Sequence, residues 1–461
     1  MPRLPLFILA ALSLVFPTVS EAAPPEPPLI WVQPPSFDAA KPHLGLPELP
    51  GVKHSILYAP KPSQTDQGGY ETLRHGLYNH HQQFLLHGDH VIVYWTNHWQ
   101  DENGPGQRLL AKVGTLTADG HSITWGGDET LFELAAPAMP PRRRLTNNAN
   151  HQIDSAFLDG ELTLVKGKMY LRGRLQACDG WTDDMRYHNS PLRQPVPEAH
   201  FRSGQDKKGG FRWDVYWFLG SFVQQFDFVA GKLAATSPLY LLGPPIPESL
   251  TVTETQTKKL ASLTAPYREA KLLKDAPAEI QNVVAAANRG RAPWQGHPRY
   301  AEGMFERAAN GKDGLAHLTE FQRRDGSWVV LRDNLLDSEV YYAAVRPSQA
   351  ETYPPGIRTN LFGTAMPVAG TLPDGSAWIV GSNRDRTDMF LTWSRDGHTF
   401  DHTWSLLHQH APVTEGVSKP PSGGPQYFKS LTLGKSIQIV YSLGKENLGI
   451  TEIPFSALLE K

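Results

Sequence analysis

Cysteine is almost missing from this chain of 461 residues, and Cys178 stands alone. A single cysteine excludes an intrachain disulfide framework and any Cys-rich zinc site, and it reads as a small core residue. A dominant charge is missing too. Forty-four basic side chains against 46 acidic ones leave a formal net charge of −2. That excludes a general electrostatic grip on nucleic acid or on an anionic membrane. Any anionic partner must therefore be held by arginines placed locally; Arg142-Arg143-Arg144 is the obvious basic run. Long apolar runs are confined to residues 4–19, after Met1-Pro2-Arg3 and before Ser20-Glu21-Ala22. This pattern is read as a cleavable secretory signal over residues 1–22, so the expected location is secreted or periplasmic. No second stretch is long and apolar enough for a bilayer, and no membrane span is expected in the mature chain.

Twelve Trp, 15 Tyr and 19 Phe, with 40 Gly and 39 Pro, point to a β-rich, turn-rich protein. One phrase recurs, a Gly-containing turn followed by an alternating apolar strand. It is carried by Gly88-Asp89-His90-Val91-Ile92, Gly167-Lys168-Met169-Tyr170-Leu171, Asp325-Gly326-Ser327-Trp328-Val329, Asp374-Gly375-Ser376-Ala377-Trp378 and Gly434-Lys435-Ser436-Ile437. Asp-Gly before alternating hydrophobics is a strong hairpin signal. The later copies lie 49 and then 59 residues apart, a spacing that suits one four-stranded sheet per repeat and radial stacking into a propeller. Residues 23–50 read as a proline-rich lead-in, placed to clasp the last blade. Residues 266–290 have helical character and read as an insertion in one β-propeller domain spanning 51–461.

The densest chemistry lies in Tyr78-Asn79-His80-His81-Gln82-Gln83, followed by Asn97-His98-Trp99 and Gly106-Gln107-Arg108. Imidazole moves protons, amides and arginine hold a carboxylate, and aromatic rings stack on sugars. Neighbours on a strand point to opposite faces, so one of His80 and His81 is expected at the site while the other packs or orients it. His81 is the favoured base. Arg332 ends a strand of the repeat and is the first arginine to test, followed by Arg358 and Arg144. Tyr427 is a candidate proton donor or stacking platform, and equally a core tyrosine. Asn97 and Gln107 either orient the histidine and bind hydroxyls or cap turns. The histidines at 80, 81, 87, 90 and 98 would scatter over both faces of strands, so no metal is expected.

His80-His81-Gln82, Trp95-Thr96-Asn97, Gly104-Pro105-Gly106-Gln107-Arg108, Glu302-Gly303, Leu331-Arg332-Asp333, Leu372-Pro373-Asp374-Gly375 and Gly424-Pro425-Gln426-Tyr427 resemble, in their order along the chain, a sialidase-superfamily group. That group contains ulvan lyases and enzymes acting on rhamnose-α-1,4-glucuronate caps. Thr117-Ala118-Asp119-Gly120-His121 and Ser394-Arg395-Asp396-Gly397-His398 are similar to degenerate Asp-box turns of sialidase-like propellers. The resemblance implies an all-β, seven-bladed β-propeller of sialidase-like fold with its site on one mouth of the channel. It implies a lyase that uses His80 or His81, with Glu302 among the substrate-binding residues. It also leaves room for a structural calcium, although no Asp/Glu/Gly loop here matches one. No cofactor is required.

The expected function is a monomeric polysaccharide lyase that cleaves an anionic glycan at glucuronate by β-elimination. The competing readings are an exo-acting glycoside hydrolase of rhamnosidase or sialidase type and a carbohydrate-binding propeller without catalysis. True sialidases pair Tyr with Glu and add an Asp acid and an arginine triad. No Asp acid is placed here, which favours the lyase.

Overall fold

Glycine sets the pattern of the fold. Gly88, Gly167, Gly326, Gly375 and Gly434 all take positive φ, which costs glycine nothing and other residues about 1–2 kcal/mol. Each turns the chain between two neighbouring strands of a different sheet, giving five such sheets among the described residues. The computed structural model describes residues 29–32, 37–38, 40–60, 78–98, 108–133, 152–181, 212–241, 271–290, 306–307, 314–334, 340–347, 354–408 and 424–459.

The first sheet runs Tyr78–His87, His90–His98, Arg108–Leu116 and Ile123–Glu133. The second contains Gln152–Val165, Lys168–Trp181 and Arg212–Val229, with shorter strands beyond them. The third contains Gly314–Gln322, Trp328–Asn334, Val340–Arg346 and Ile357–Phe362, with Glu306–Arg307 on its inner edge. Thr364–Thr371, Ala377–Ser382, Met389–Ser394 and His402–Leu407 form the fourth. The fifth joins Pro425–Leu433, Ser436–Leu443 and Asn447–Pro454 to a strand from far upstream, Lys53–Tyr58. Seven blades were expected; five sheets of four or more strands lie among the described residues.

The first long strand of each sheet, its lead strand, packs on the lead strand of the next. The order is second, first, fifth, fourth, third. Both faces of the middle strands are therefore covered, and they read as continuous apolar runs. Trp378 and Val380 join Ile437, Ile439 and Tyr441 between the fourth and fifth sheets. Ile379, on the opposite face, joins Val329, Leu331 and Tyr341 between the third and fourth. Val93 and Trp95 meet Val440 and Ile450 between the fifth and first. Large rings are seated over cross-strand glycines. A Cβ on Gly370 would lie 2.6 Å from the Trp378 ring, and one on Gly449 would lie 2.4 Å from the Tyr441 ring.

The described part of the lead-in lies against the third and fourth sheets. Ile30–Trp31 pairs in parallel with Thr399–Phe400, and Asn360 bonds the Trp31 backbone in both directions. The segment reaches the core between the fourth and fifth sheets at Leu49. The region with helical character contains the α-helix Ala278–Gly290, whose Ile280, Val283 and Val284 cover Tyr170 and Val223 of the second sheet. Both Asp-box-like turns join the third and fourth strands of their sheets. Asp119 accepts from the Thr117 hydroxyl and the His121 amide, and Asp396 from the Ser394 hydroxyl and the His398 and Thr399 amides.

Candidate functional site

One irregularity repeats in every sheet. Within each lead strand the register slips, so that two or three residues oppose one on the neighbouring strand. The extra residues are His81 and Gln82 in the first sheet, and Tyr427 and Phe428 in the fifth. Residues 365–367 bulge in the fourth, 317–318 in the third and 159–160 in the second. His81, Met366 and Tyr427 take positive φ at these bulges, at 56°, 54° and 61°. Such strain in bulky residues amounts to roughly 1–3 kcal/mol each and collects at functional positions. Each bulge is set back from the glycine turn, toward the strand start in the first, fourth and fifth sheets and midway along the strand in the second and third.

The bulge overturns the expectation that His80 and His81 face opposite ways. An extra residue interrupts the alternation of side chains, and the two imidazole centroids lie 4.6 Å apart. The Tyr427 ring, delivered by the matching bulge of the fifth sheet, lies 4.0 Å from His80 and 5.3 Å from His81. Three rings able to carry or transfer a proton thus meet at the seam between first and fifth sheets. His80 is fully buried, whereas His81 and Tyr427 are half-buried.

The buried ring is oriented by the neighbouring sheet. His80 Nδ1 lies 2.7 Å from Ser442 Oγ, and Ser442 Oγ donates to the Gln426 carbonyl at 3.4 Å. Asp333 occupies the register position in the third sheet that Ser442 holds in the fifth, and its Oδ2 accepts from the Met366 amide in the next sheet's bulge. Each of these polar residues supports the bulge of the following sheet. Gln82 donates to the carbonyls of Gln426 and Tyr427, tying the two bulged segments together.

Beneath the rings lies a buried amide network. Asn79 Oδ1 accepts from Trp95 Nε1 and Asn97 Nδ2, both at 2.8 Å, and Asn79 Nδ2 donates to the Glu446 carbonyl at 2.8 Å. Arg108 Nε donates to Asn97 Oδ1 at 2.8 Å. Asn97 therefore sits below the site as a support. Arg332 is buried in the third sheet, in cross-strand register with Tyr342, which in turn pairs with exposed Arg358. That row belongs to a sheet separated from the three rings by the fourth. Arg144, Gln107 and Glu302 lie outside the described residues, so the structure says nothing of them. Of the other expected histidines, His87 and His90 pack on Phe228 at the turn end. Among the described residues no group of three His, Cys, Asp or Glu is disposed to hold a metal.

A residue not anticipated from sequence is Arg386, on the turn at residues 383–388 in the fourth sheet. Its Nη1 donates to Gln426 Oε1 at 2.7 Å. The same turn carries Asp388, whose carboxylate meets His408 Nδ1 at 2.5 Å toward the rim. The segment Asn383-Arg384-Asp385-Arg386-Thr387-Asp388 alternates charges as solvated turns do, so only its position after a strand of the repeat could have marked it.

Repeated sheets standing on packed lead strands, with ionisable side chains where those strands start, define an all-β scaffold that builds its site from several sheets at one end. The specific likeness is to sialidases. A solved sialidase matches 92% of this chain at a TM-score of 0.53 and 16% identity, a match that covers 35% of the sialidase chain. The present chain thus spans about a third of that protein. A Dyadobacter fermentans protein of unknown function and a leech intramolecular trans-sialidase each match 88% of the chain at a TM-score of 0.45. Their identities are 11% and 10%, with 99% and 71% of their own chains covered. The first of these likenesses establishes a sialidase-type fold. No protein-family model and no curated protein sequence matches the chain. No helix among the described residues is long and apolar enough to cross a membrane.

Proposed function

We propose that the protein is a carbohydrate-active enzyme, a polysaccharide lyase that cleaves the link to a glucuronate by β-elimination. The contact of His80, His81 and Tyr427 across the seam between the first and fifth sheets carries this reading. His81, half-buried, takes the C5 proton of the uronate. The electron pair forms the C4–C5 double bond as the O4 glycosidic bond breaks, and the Tyr427 hydroxyl returns a proton to the leaving oxygen. His80, fixed by Ser442, holds the other two rings in place. The reaction needs a cation on the uronate carboxylate, because neutralising it acidifies the C5 proton and stabilises the enolate-like transition state. No cofactor is required. The enzyme is proposed to act as a monomer outside the cytoplasm after loss of residues 1–22.

Glucuronate-containing glycans, rhamnosyl-α-1,4-glucuronate first, test the proposal by mass spectrometry of products. Elimination gives an unsaturated uronate that absorbs in the ultraviolet, and His81→Ala abolishes it. The sialidase-type fold favours a second reading, an exo-acting hydrolase with Tyr427 in the site; its products gain one water and do not absorb. Binding without any product, unchanged in His81→Ala, would leave only a carbohydrate-binding role.

A further inference from the structure

We propose that Arg386 holds the carboxylate of the sugar bound at this site, a role that rests on the acidic-glycan reading above. Of the expected arginines, the two that are described do not supply that charge beside the rings. Arg332 and Arg358 lie in the third sheet, and Arg108 turns inward to Asn97. Arg386 is half-buried, and its one side-chain hydrogen bond, from Nη1, goes to a neutral amide oxygen of Gln426. A guanidinium offers five N–H donors in a fixed fork, and the geometry suits two parallel bonds to a carboxylate. Among the described residues, the remaining donors of Arg386 meet no carboxylate that would compete with a ligand.

Its tether places it at the site. Gln426 is the residue before Tyr427, and the carbonyls of both accept from Gln82, the residue after His81. The backbone beneath the guanidinium is held firmly. Arg386 takes φ 55° and its amide donates to the Asn383 carbonyl. Asn383 Oδ1 accepts from the amides of Thr387 and Asp388, and Asn383 Nδ2 donates to Thr387 Oγ1. Gly424 approaches so closely that a Cβ there would lie 1.9 Å from the Arg386 carbonyl oxygen. A cation on so ordered a turn loses little freedom when it grips an anion.

The test measures calorimetric binding of methyl β-D-glucuronoside and of its neutral methyl ester to the full chain, to Arg386→Gln and to Arg386→Lys. The wild type is expected to prefer the acid by roughly ten- to a hundredfold, the range for one charge-assisted bidentate contact. Arg386→Gln loses that preference while keeping its affinity for the ester, and Arg386→Lys keeps part of it. A preference that survives in Arg386→Gln overturns the assignment, as does equal loss of both sugars, which marks a structural residue. Should Arg386→Gln fail to fold, Arg386→Lys decides: a reduced preference supports the proposal and an unchanged one overturns it. A wild type that binds the ester as well as the acid removes the acidic-glycan reading itself, and with it the role proposed for Arg386.

Discussion

Asn79→Ala is the sharpest probe of the seam that carries the site. Asn79 is fully buried, and its side chain makes three hydrogen bonds of 2.8 Å to three partners. Truncation leaves Trp95 Nε1 and the Glu446 carbonyl without this partner. Asn97 keeps a second acceptor in the Tyr78 carbonyl at 3.2 Å. Each buried group left unsatisfied costs about 1–3 kcal/mol, so two of them predict a loss of about 4 kcal/mol. A water molecule taking the amide's place would find three polar partners and bring the loss down to about 2 kcal/mol. Urea unfolding followed by tryptophan fluorescence reads this as a lower midpoint at unchanged slope. Asn97→Ala combined with Asn79→Ala should destabilise by less than the sum of the single changes, because they share one bond. A loss under about 1 kcal/mol for Asn79→Ala would refute the network as a structural tie between the first and fifth sheets.

Three further outcomes are expected. His81→Gly should abolish turnover yet raise stability by about 1 kcal/mol, since glycine adopts the left-handed backbone without strain; retained turnover would exclude His81 as base. Gly424→Ala should destabilise by about 3 kcal/mol or more, because its Cβ meets the backbone oxygen of Arg386 rather than a flexible side chain, and an unchanged melting curve would contradict the close approach. Burial alone would raise the Asp396 carboxyl, but the Thr399 and His398 amides and the Ser394 hydroxyl outweigh it and hold the group below its ordinary range. Its stabilising effect should therefore be complete above the unfolded value of about 3.9 and fade as pH falls through the lower folded value. Urea midpoints of wild type and Asp396→Asn should then converge only in acid, and a gap independent of pH would refute that account.

The repeat was legible because the chemistry of its turns is local. All five glycine-led phrases in the sequence turned out to be hairpins in five different sheets, with positive φ at each glycine. The bulges were not legible. Nothing in Tyr78-Asn79-His80-His81 distinguishes a strand with an extra residue from a regular one, so simple alternation separated two imidazoles that the structure brings together. Tyr427 was singled out beside its Gly-Gly-Pro approach, but its meeting with His80 depends on packing between the two ends of the chain. Asn97 belongs to the neighbourhood as expected, though as a support beneath it. Lys53–Tyr58 completing the fifth sheet was equally hidden, since strand pairing across such a distance leaves no local mark.

That long-range pairing has a consequence for how the molecule acquires activity. His80 and the serine that orients it are 362 positions apart, so a ribosome delivers one of them long before the other. An incomplete chain can shape its early hairpins, yet it holds an imidazole with no anchor and no tyrosine beside it. Competence then arrives in a single late event, when the C-terminal strands dock against an N-terminal partner that has waited for them.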